Sequence, residues 1–382
     1  MLNILDPKSA KSTKLADFKF NLPKNLIAKY PVDPRSSSRM LVLNRKTGEL
    51  EDKKFVDILN FFQKGDCIVL NETKVFPAKI CGKKEKTNAK IDVLLLRELK
   101  PEKSRETDIL KKIRHEYEED EVIDNKHIWD VLVEPARKVR IGNKIFFDQG
   151  KVYCEIIDNT TSRGRSVRFS YDGDFYRIID RIGNMPLPEY IKRDPLEFDK
   201  NSYQTIFANP ECTASIAPPG AGLHFSEEII EELKKKGVRI AKVVLHIGQG
   251  IFDKIDVEDL TRHRMYSECF EISKDAAEII NKALNAKKNV YAVGASVARV
   301  LESSVLTTGK VKPNRGWTDK FIYPPYDFKI VNKLITNFHQ PSSPSLLLAA
   351  AFAGRDQLLK AYKKAIKEEY RFLVYGDAML II

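Results

Sequence analysis

Five short stretches carry residues that could do acid–base and ligand-orienting chemistry. In "SIAPPGAGLHFSEEII" (residues 215–230) two prolines and two glycines lead to His224 and then to a helical pattern. A glycine-rich turn feeding a helix start gathers backbone N–H groups that have no partner inside the helix, which favours anions. Ser226, Glu228 and Glu231 suit such a start, because acids near that end complement the helix dipole. His246 and Gly248 close "LHIGQG", Gly294 and Ser296 close "AVGAS", and Asn337 and His339 follow "LIT" in "TNFHQP". Arg299 and Glu302 lie one helical turn apart just beyond "AVGAS". Imidazoles and a carboxylate serve proton transfer near neutrality, while an arginine and an amide orient polar ligands. Each stretch also has a purely architectural reading: a capping or packed histidine, or a structural Arg299–Glu302 pair. In "RFLVYGDAMLII", Tyr375, Gly376 and Asp377 form a polar break inside an apolar run, a turn or a ligand clamp.

Positioning these groups is the work of alternating strands and helices. "EEIIEELKKKG" is an amphipathic helix ending at Gly237, and "VRIAKVVLHIG" is a buried strand. A second helix, "KDAAEIINKALNAKK", precedes the strand "VYAVGA" and the helical "SVARVLESSV". "LITNF" then leads into "SLLLAAAFAGRDQLLKAYKKAIKEEY". The alternation predicts an α/β layer with a largely parallel sheet, and in such sheets ligands gather at the carboxyl ends of strands. Upstream, "RMLVLNRKTGEL" reads as a hairpin turning at Gly48. From 78 to 172 short strands such as "IDVLLLREL", "WDVLVEPA" and "SVRFSY" alternate with turns, which predicts a small inserted barrel or sandwich. The remaining α/β domain is therefore discontinuous, 1–77 and 173–382, and a charge-dense arm lies near 101–127.

With 382 residues and 43% hydrophobic content the chain can bury a sizeable core. No apolar run reaches bilayer length, no secretion signal opens the chain, and the five cysteines (67, 81, 154, 212, 269) form no CxxC pair. The expectation is a cytoplasmic chain with free thiols, no metal site and no membrane contact. A formal charge of +12 favours a polyanionic partner, nucleic acid above all.

The motifs "FNLPKNLIAKYPVDPRSSSRMLVLNRKTGEL", "GDCIVLNETKVFPAKICGKK", "APPGAGLHF", "LHIGQGIF", "HRMYSE", "VYAVGASVARVLES", "FIYPPYDFKIVNKLITNFHQP" and "YRFLVYGDAMLI", in this order over nearly the whole chain, resemble the S-adenosylmethionine:tRNA ribosyltransferase-isomerase family of queuosine biosynthesis. The resemblance implies an α/β domain carrying an inserted β-barrel. It also implies a reaction: the ribosyl part of S-adenosylmethionine passes to the 7-aminomethyl-7-deazaguanine base at the tRNA wobble position. Epoxyqueuosine forms, and adenine and methionine leave. The partners are then tRNA and S-adenosylmethionine, acting on a monomeric chain without a cofactor, since S-adenosylmethionine is a substrate. His224, His246, His263, Glu302 and His339 become proton-transfer candidates. Arg39, Asn71, Lys74, Gly222, Gly248, Gly294, Ser296, Arg299 and Asn337 become substrate-binding candidates, with Tyr375 and Asp377 closing the site. Arg137, Lys138, Arg140, Lys144, Arg163, Arg165 and Arg168 of the barrel are candidates for contact with RNA phosphate.

The chain departs from the family pattern inside its motifs. Gly220, Ala295 and Pro344 stand where threonines are usual, Ile251 replaces another, and Tyr266 replaces a histidine. A lost hydroxyl can leave a buried partner unsatisfied, at about 1–3 kcal/mol. Two alternatives therefore stay open beside the enzyme: a paralogue that binds tRNA without turnover, and the same fold acting on a changed substrate.

Overall fold

The computed structural model describes residues 14–99, 127–251 and 254–382. The charged arm, apart from His127, lies outside them, as do Phe252 and Asp253. Two compact units are present: one comprises the chain up to Lys74, Pro188–Asp194 and Asn201–Ile382, the other Val75–Leu187 and Pro195–Lys200.

In the larger unit β1 (Arg39–Leu43) and β2 (Leu50–Lys54) form the expected hairpin, turning through Gly48 at φ +73°. With β3 (Cys67–Asn71) and the later β12 (Arg239–Leu245), β13 (Glu268–Ile272), β14 (Val290–Val293), β15 (Asn314–Thr318), β16 (Lys333–Asn337) and β17 (Ala378–Ile381) they make a nine-stranded sheet. Its order is β15-β13-β12-β3-β14-β16-β17-β1-β2. The centre, β12-β3-β14-β16, is parallel, as is β17 with β1; β13, β15 and β2 pair antiparallel, and β17 runs against β16. The sheet is thus mixed around a parallel heart. Parallel neighbours need connections that cross over; here they run through helices and, between β12 and β14 and between β14 and β16, through an outer strand (β13 or β15) as well. Two short strands, β4 (Lys74–Val75) and β11 (Thr213–Ser215), stand outside this sheet.

The crossover helices follow from their patterns. Ile229 and Leu233 face inward from α2 (Glu227–Lys235), whose first turn is capped by Ser226 accepting from Ile229 N at 3.4 Å. Ala276, Ala277, Ile280 and Ala283 are the buried stripe of α3 (Lys274–Asn285), and α4 (Ala295–Ser303) follows β14 directly. The run "SLLLAAAFAG" is α5 (Pro344–Ala353), buried nearly all round; Gly354, at φ +88°, separates it from α6 (Arg355–Lys367). The left-handed conformation at Gly354 breaks what the sequence pattern runs together.

In the smaller unit β5 (Lys79–Lys84), β6 (Lys90–Glu98), β7 (Ile128–Glu134), β8 (Lys144–Phe147), β9 (Val152–Asn159) and β10 (Gly164–Ser170) close an antiparallel barrel, ordered β10-β7-β6-β5-β8-β9. Alternate residues such as Ile91, Val93, Leu95, Val131, Val133 and Ile145 are fully or almost fully buried. Gly82 lies on the same strand system where a Cβ would meet Phe147 Cε1 at 2.6 Å and Phe146 O at 2.7 Å, so no larger residue fits. α1 (Phe175–Ile182), capped by Asp174, belongs to this unit and extends it beyond the stretch 78–172. All five cysteines are free thiols. Among the described residues no helix is long and apolar enough to cross a membrane.

Candidate active site

A pocket opens in the larger unit where β12, β14 and β16 end. Its lining includes Leu245, Ile247, Gly294, Ser296, Asn337 and His339, the carboxyl-end residues of those strands and their extensions. Gly294, at φ +90°, turns the chain sharply from β14 into α4, and its N–H donates to Ile335 O at 2.8 Å. That left-handed turn needs glycine and delivers Ser296 to the pocket wall.

Arg299 and Glu268 form a buried ion pair on the same wall. Glu268 Oε1 also accepts from Gly248 N at 2.8 Å; Arg299 donates to Lys320 O at 3.0 Å and Thr318 O at 3.3 Å. Breaking one partner of such a pair would leave an uncompensated buried charge. Glu268 closes the motif "HRMYSE", from which only His263 and Tyr266 are singled out by the sequence. Its signal was present in "ECFEI", where an acid shares the apolar face of an alternating strand with Phe270 and Ile272.

His339 reaches the pocket from just beyond β16. Its Nε2 is 2.7 Å from Thr336 Oγ1, and its backbone N–H donates to the buried Tyr362 hydroxyl at 2.9 Å. Burial pushes its imidazole down to about 4, so the ring is neutral at pH 7.

His224 stands one layer behind. Asn337 Nδ2 donates to Leu373 O at 2.9 Å and Val374 O at 3.3 Å, so its Oδ1 is the atom 3.1 Å from His224 Nε2. Nε2 therefore carries the proton, and Nδ1 accepts from the Ser38 hydroxyl at 2.8 Å. Burial lowers this imidazole to about 4; the Asn337 hydrogen bond and Asp377 oppose the shift, while Arg371 and Arg35 add to it. Both ring nitrogens are engaged and the ring tilts over Phe55, with centroids 5.0 Å apart. The glycine turn holds His224 as a strut for Asn337 and the 373–374 backbone. Gly222 makes that turn possible, because a Cβ there would fall 2.8 Å from Phe207 Cζ.

The other expected residues separate from the pocket. Glu302 is buried outside the pocket lining, its carboxylate accepting from the backbone N–H groups of Lys329, Ile330 and Val331 at 3.0–3.2 Å and from the Tyr326 hydroxyl at 3.4 Å, which anchors a turn. Its helical spacing from Arg299 was real, but the two point to different partners. His246 Nδ1 meets Thr73 Oγ1 at 2.9 Å, and burial first, then Arg315, lowers its imidazole to about 4. His263 packs edge-on to Phe321 at 4.7 Å, beside the pocket, and burial lowers its pKa against the pull of Asp256. Asn71 ties β3 to β12 through Leu245 O at 3.0 Å and touches Ser296 Oγ at 3.3 Å, an indirect support. Gly248 contributes through its N–H on Glu268, and Lys74 lies half-buried outside the lining.

Arg39 lies over the Tyr370 ring at 3.6 Å and donates to Glu368 O at 2.7 Å, away from the pocket. Asp377 accepts from Arg39 N at 3.1 Å and Arg371 N at 2.8 Å, so the polar break is a stapled turn. Tyr375, in that turn, packs edge-on against Tyr203 at 6.0 Å.

On the barrel, Arg137, Lys138 and Arg140 are exposed, and Arg163 is exposed beside Glu134 at 3.4 Å. Lys144 sits over Tyr153 at 5.2 Å. Arg165 is buried instead, donating to Gly164 O, Ala136 O and Val139 O at 2.7–3.3 Å, and Arg168 pairs with Glu155 at 2.8 Å. Strand alternation turns Arg165 toward the protein, so it braces a loop and offers no phosphate contact.

A mixed sheet with an inserted closed barrel, and a pocket of imidazole, hydroxyl and ion-paired groups at strand carboxyl ends, defines an α/β enzyme. The model of the family described as queuosine biosynthesis protein matches residues 15–381, and the chain belongs to that family. A Cytophaga hutchinsonii protein named S-adenosylmethionine:tRNA ribosyltransferase-isomerase is 50% identical over 97% of this chain and 100% of its own. A Chloroherpeton thalassium protein of the same name is 48% identical over 96% and 99%. The crystal structure of S-adenosylmethionine tRNA ribosyltransferase from Thermotoga maritima has a similar fold, with TM-score 0.50 and 31% identity over 96% of this chain and 100% of that one.

Proposed function

We propose that the pocket takes S-adenosylmethionine and that the chain moves its ribosyl moiety to 7-aminomethyl-7-deazaguanine at the tRNA wobble position. Epoxyqueuosine forms there, and adenine and methionine are released. The observation that carries this reading is the convergence of His339, Ser296 and the Glu268–Arg299 pair on one partly apolar pocket. The sulfonium is already a leaving group and acidifies the neighbouring C–H bonds. What the protein must add is a proton acceptor, a proton donor for departing adenine, and placement of the amine. His339 is the imidazole among the described lining residues and takes the proton-transfer role; Ser296 and Arg299 orient the ligand.

The test is adenine release from S-adenosylmethionine with tRNA carrying the modified base. Release confined to complete mixtures supports the enzyme. Its absence from folded protein that still binds this tRNA favours the non-catalytic paralogue. One observation favours a second reading, a changed small molecule: the departing residues Gly220, Ala295 and Pro344 all line the pocket. Calorimetric titration with S-adenosylmethionine alone separates the two, because a site rebuilt for another ligand does not saturate with it.

A further inference from the structure

Among the described residues the antiparallel wing of the sheet has one covered face and one that opens toward its β15 edge, His246 at the β12 end being held beside Thr73. Along β13, Glu268, Phe270 and Ile272 are buried beneath the helices, whereas Glu271 is exposed and Cys269 half-exposed. Register places Glu271 opposite Arg315 and Cys269 opposite Trp317 on β15, and His246 N donates to Cys269 O at 2.9 Å. Side chains directly opposite across antiparallel strands share a face. His246, Cys269 and Trp317 therefore form one row across the wing, with Arg315 beside it.

Trp317 is 47% exposed, a large indole on an edge strand, and the Arg315 side chain is 80% exposed. Lys310 and Lys312 are exposed in the same segment, "KVKPNRGWTDK". An apolar protein partner would need an apolar surround; the segment around this ring carries Lys310, Lys312, Arg315 and Lys320 against Asp319 and, across the ladder, Glu271 3.6 Å from Arg315, a net positive set that suits a polyanion with aromatic bases. The platform also adjoins the pocket, since Arg299 donates to the carbonyls of Thr318 and Lys320, just beyond Trp317.

We propose that this open face is a nucleobase platform: Trp317 stacks on an unpaired base of the RNA substrate beside the target, while Arg315 and Lys312 hold the adjoining phosphates. The inference rests on the reading of the substrate as tRNA. Stacking on an aromatic side chain tolerates any base and suits a nucleotide drawn out of its helix.

The experiment titrates an anticodon stem-loop RNA carrying the modified base against the wild type, Trp317→Ala, Trp317→Phe and Arg315→Gln at several salt concentrations. S-adenosylmethionine binding is measured in parallel by calorimetry. Trp317→Ala is expected to weaken RNA binding about 5- to 150-fold, the equivalent of about 1–3 kcal/mol per stacked base. Trp317→Phe recovers most of it, Arg315→Gln reduces the salt slope by about one, and the small-molecule affinity is unchanged. Equal RNA binding by wild type and Trp317→Ala overturns the platform while leaving the tRNA reading intact. A wild type that does not bind this RNA even at low salt overturns both.

Discussion

His224 donates from Nε2 to Asn337 Oδ1 at 3.1 Å, and both Asn337 amide hydrogens are directed to the carbonyls of Leu373 and Val374. A histidine on a glycine-rich turn thus fixes which way a pocket amide faces, and through it the backbone that lines the pocket.

His224→Ala is expected to destabilise the fold by about 2–4 kcal/mol, from a cavity plus two unsatisfied buried partners. Ser38→Ala removes only the distal hydrogen bond and should cost about 1 kcal/mol. Both should leave the pH profile of kcat unaltered while urea midpoints fall. A profile that loses a limb in either variant would assign His224 a proton-transfer role after all.

The pH dependence of stability follows from the same burial. Burial holds the folded His224 imidazole down at about 4, against 6.5 for a solvated imidazole. Between those pH values the unfolded chain holds more protons, so stability falls as pH drops from 6.5 toward 4 and is intact above 6.5. The effect is roughly 3 kcal/mol at its acid limit. Urea midpoints measured from pH 7.5 to 4.5 should decline, and His224→Asn should flatten part of the decline.

Glu268→Gln and Glu302→Gln distinguish the two buried acids. The first strands Arg299 in the pocket wall and should cost about 3–5 kcal/mol together with most of the activity. The second weakens the 329–331 anchor and should lower stability by about 1–3 kcal/mol with kcat nearly unchanged in the folded fraction. Adenine-release kinetics beside denaturant titrations measure both.

Two glycines in one turn should differ in how much a methyl group costs. Gly220 has its nearest prospective Cβ neighbours, Asn337 Nδ2 and Val374 Cγ2, at 3.8 Å, so Gly220→Ala should cost less than about 1 kcal/mol. Gly222→Ala would press on Phe207 and Thr205 at 2.8 and 2.9 Å and should cost about 1–3 kcal/mol. Thermal melts of the pair decide it.

On the barrel, Arg137→Gln and Arg140→Gln should each lower the salt dependence of RNA binding if these exposed side chains meet phosphate. Arg165→Ala should lower the melting temperature and leave that slope unchanged, because its hydrogen bonds are all internal.

Much of the architecture is legible in the sequence, because strand and helix periods are local. The hairpin at Gly48, the helices with Ile229 and Ile280 on their inner faces, the short-strand insert and the polar residues at the ends of β12, β14 and β16 all follow from spacing. The family motifs add the order of these pieces. Which polar residue faces which partner is not local, and only the tertiary structure decided it. Glu302 and Arg299 share a helix face by spacing, yet the 329–331 turn takes one and Glu268 the other. His224 and His339 are equivalent as residue types; packing seals the first behind Asn337 and leaves the second on the pocket wall. Arg165 and Arg137 carry the same charge, but alternation within a closed barrel buries the first. A residue's chemistry is written in its type; its role depends on contacts with chain segments that lie tens of residues away, as for Glu302, Arg299 and Arg165, or more than a hundred, as for His224, which folding alone brings together.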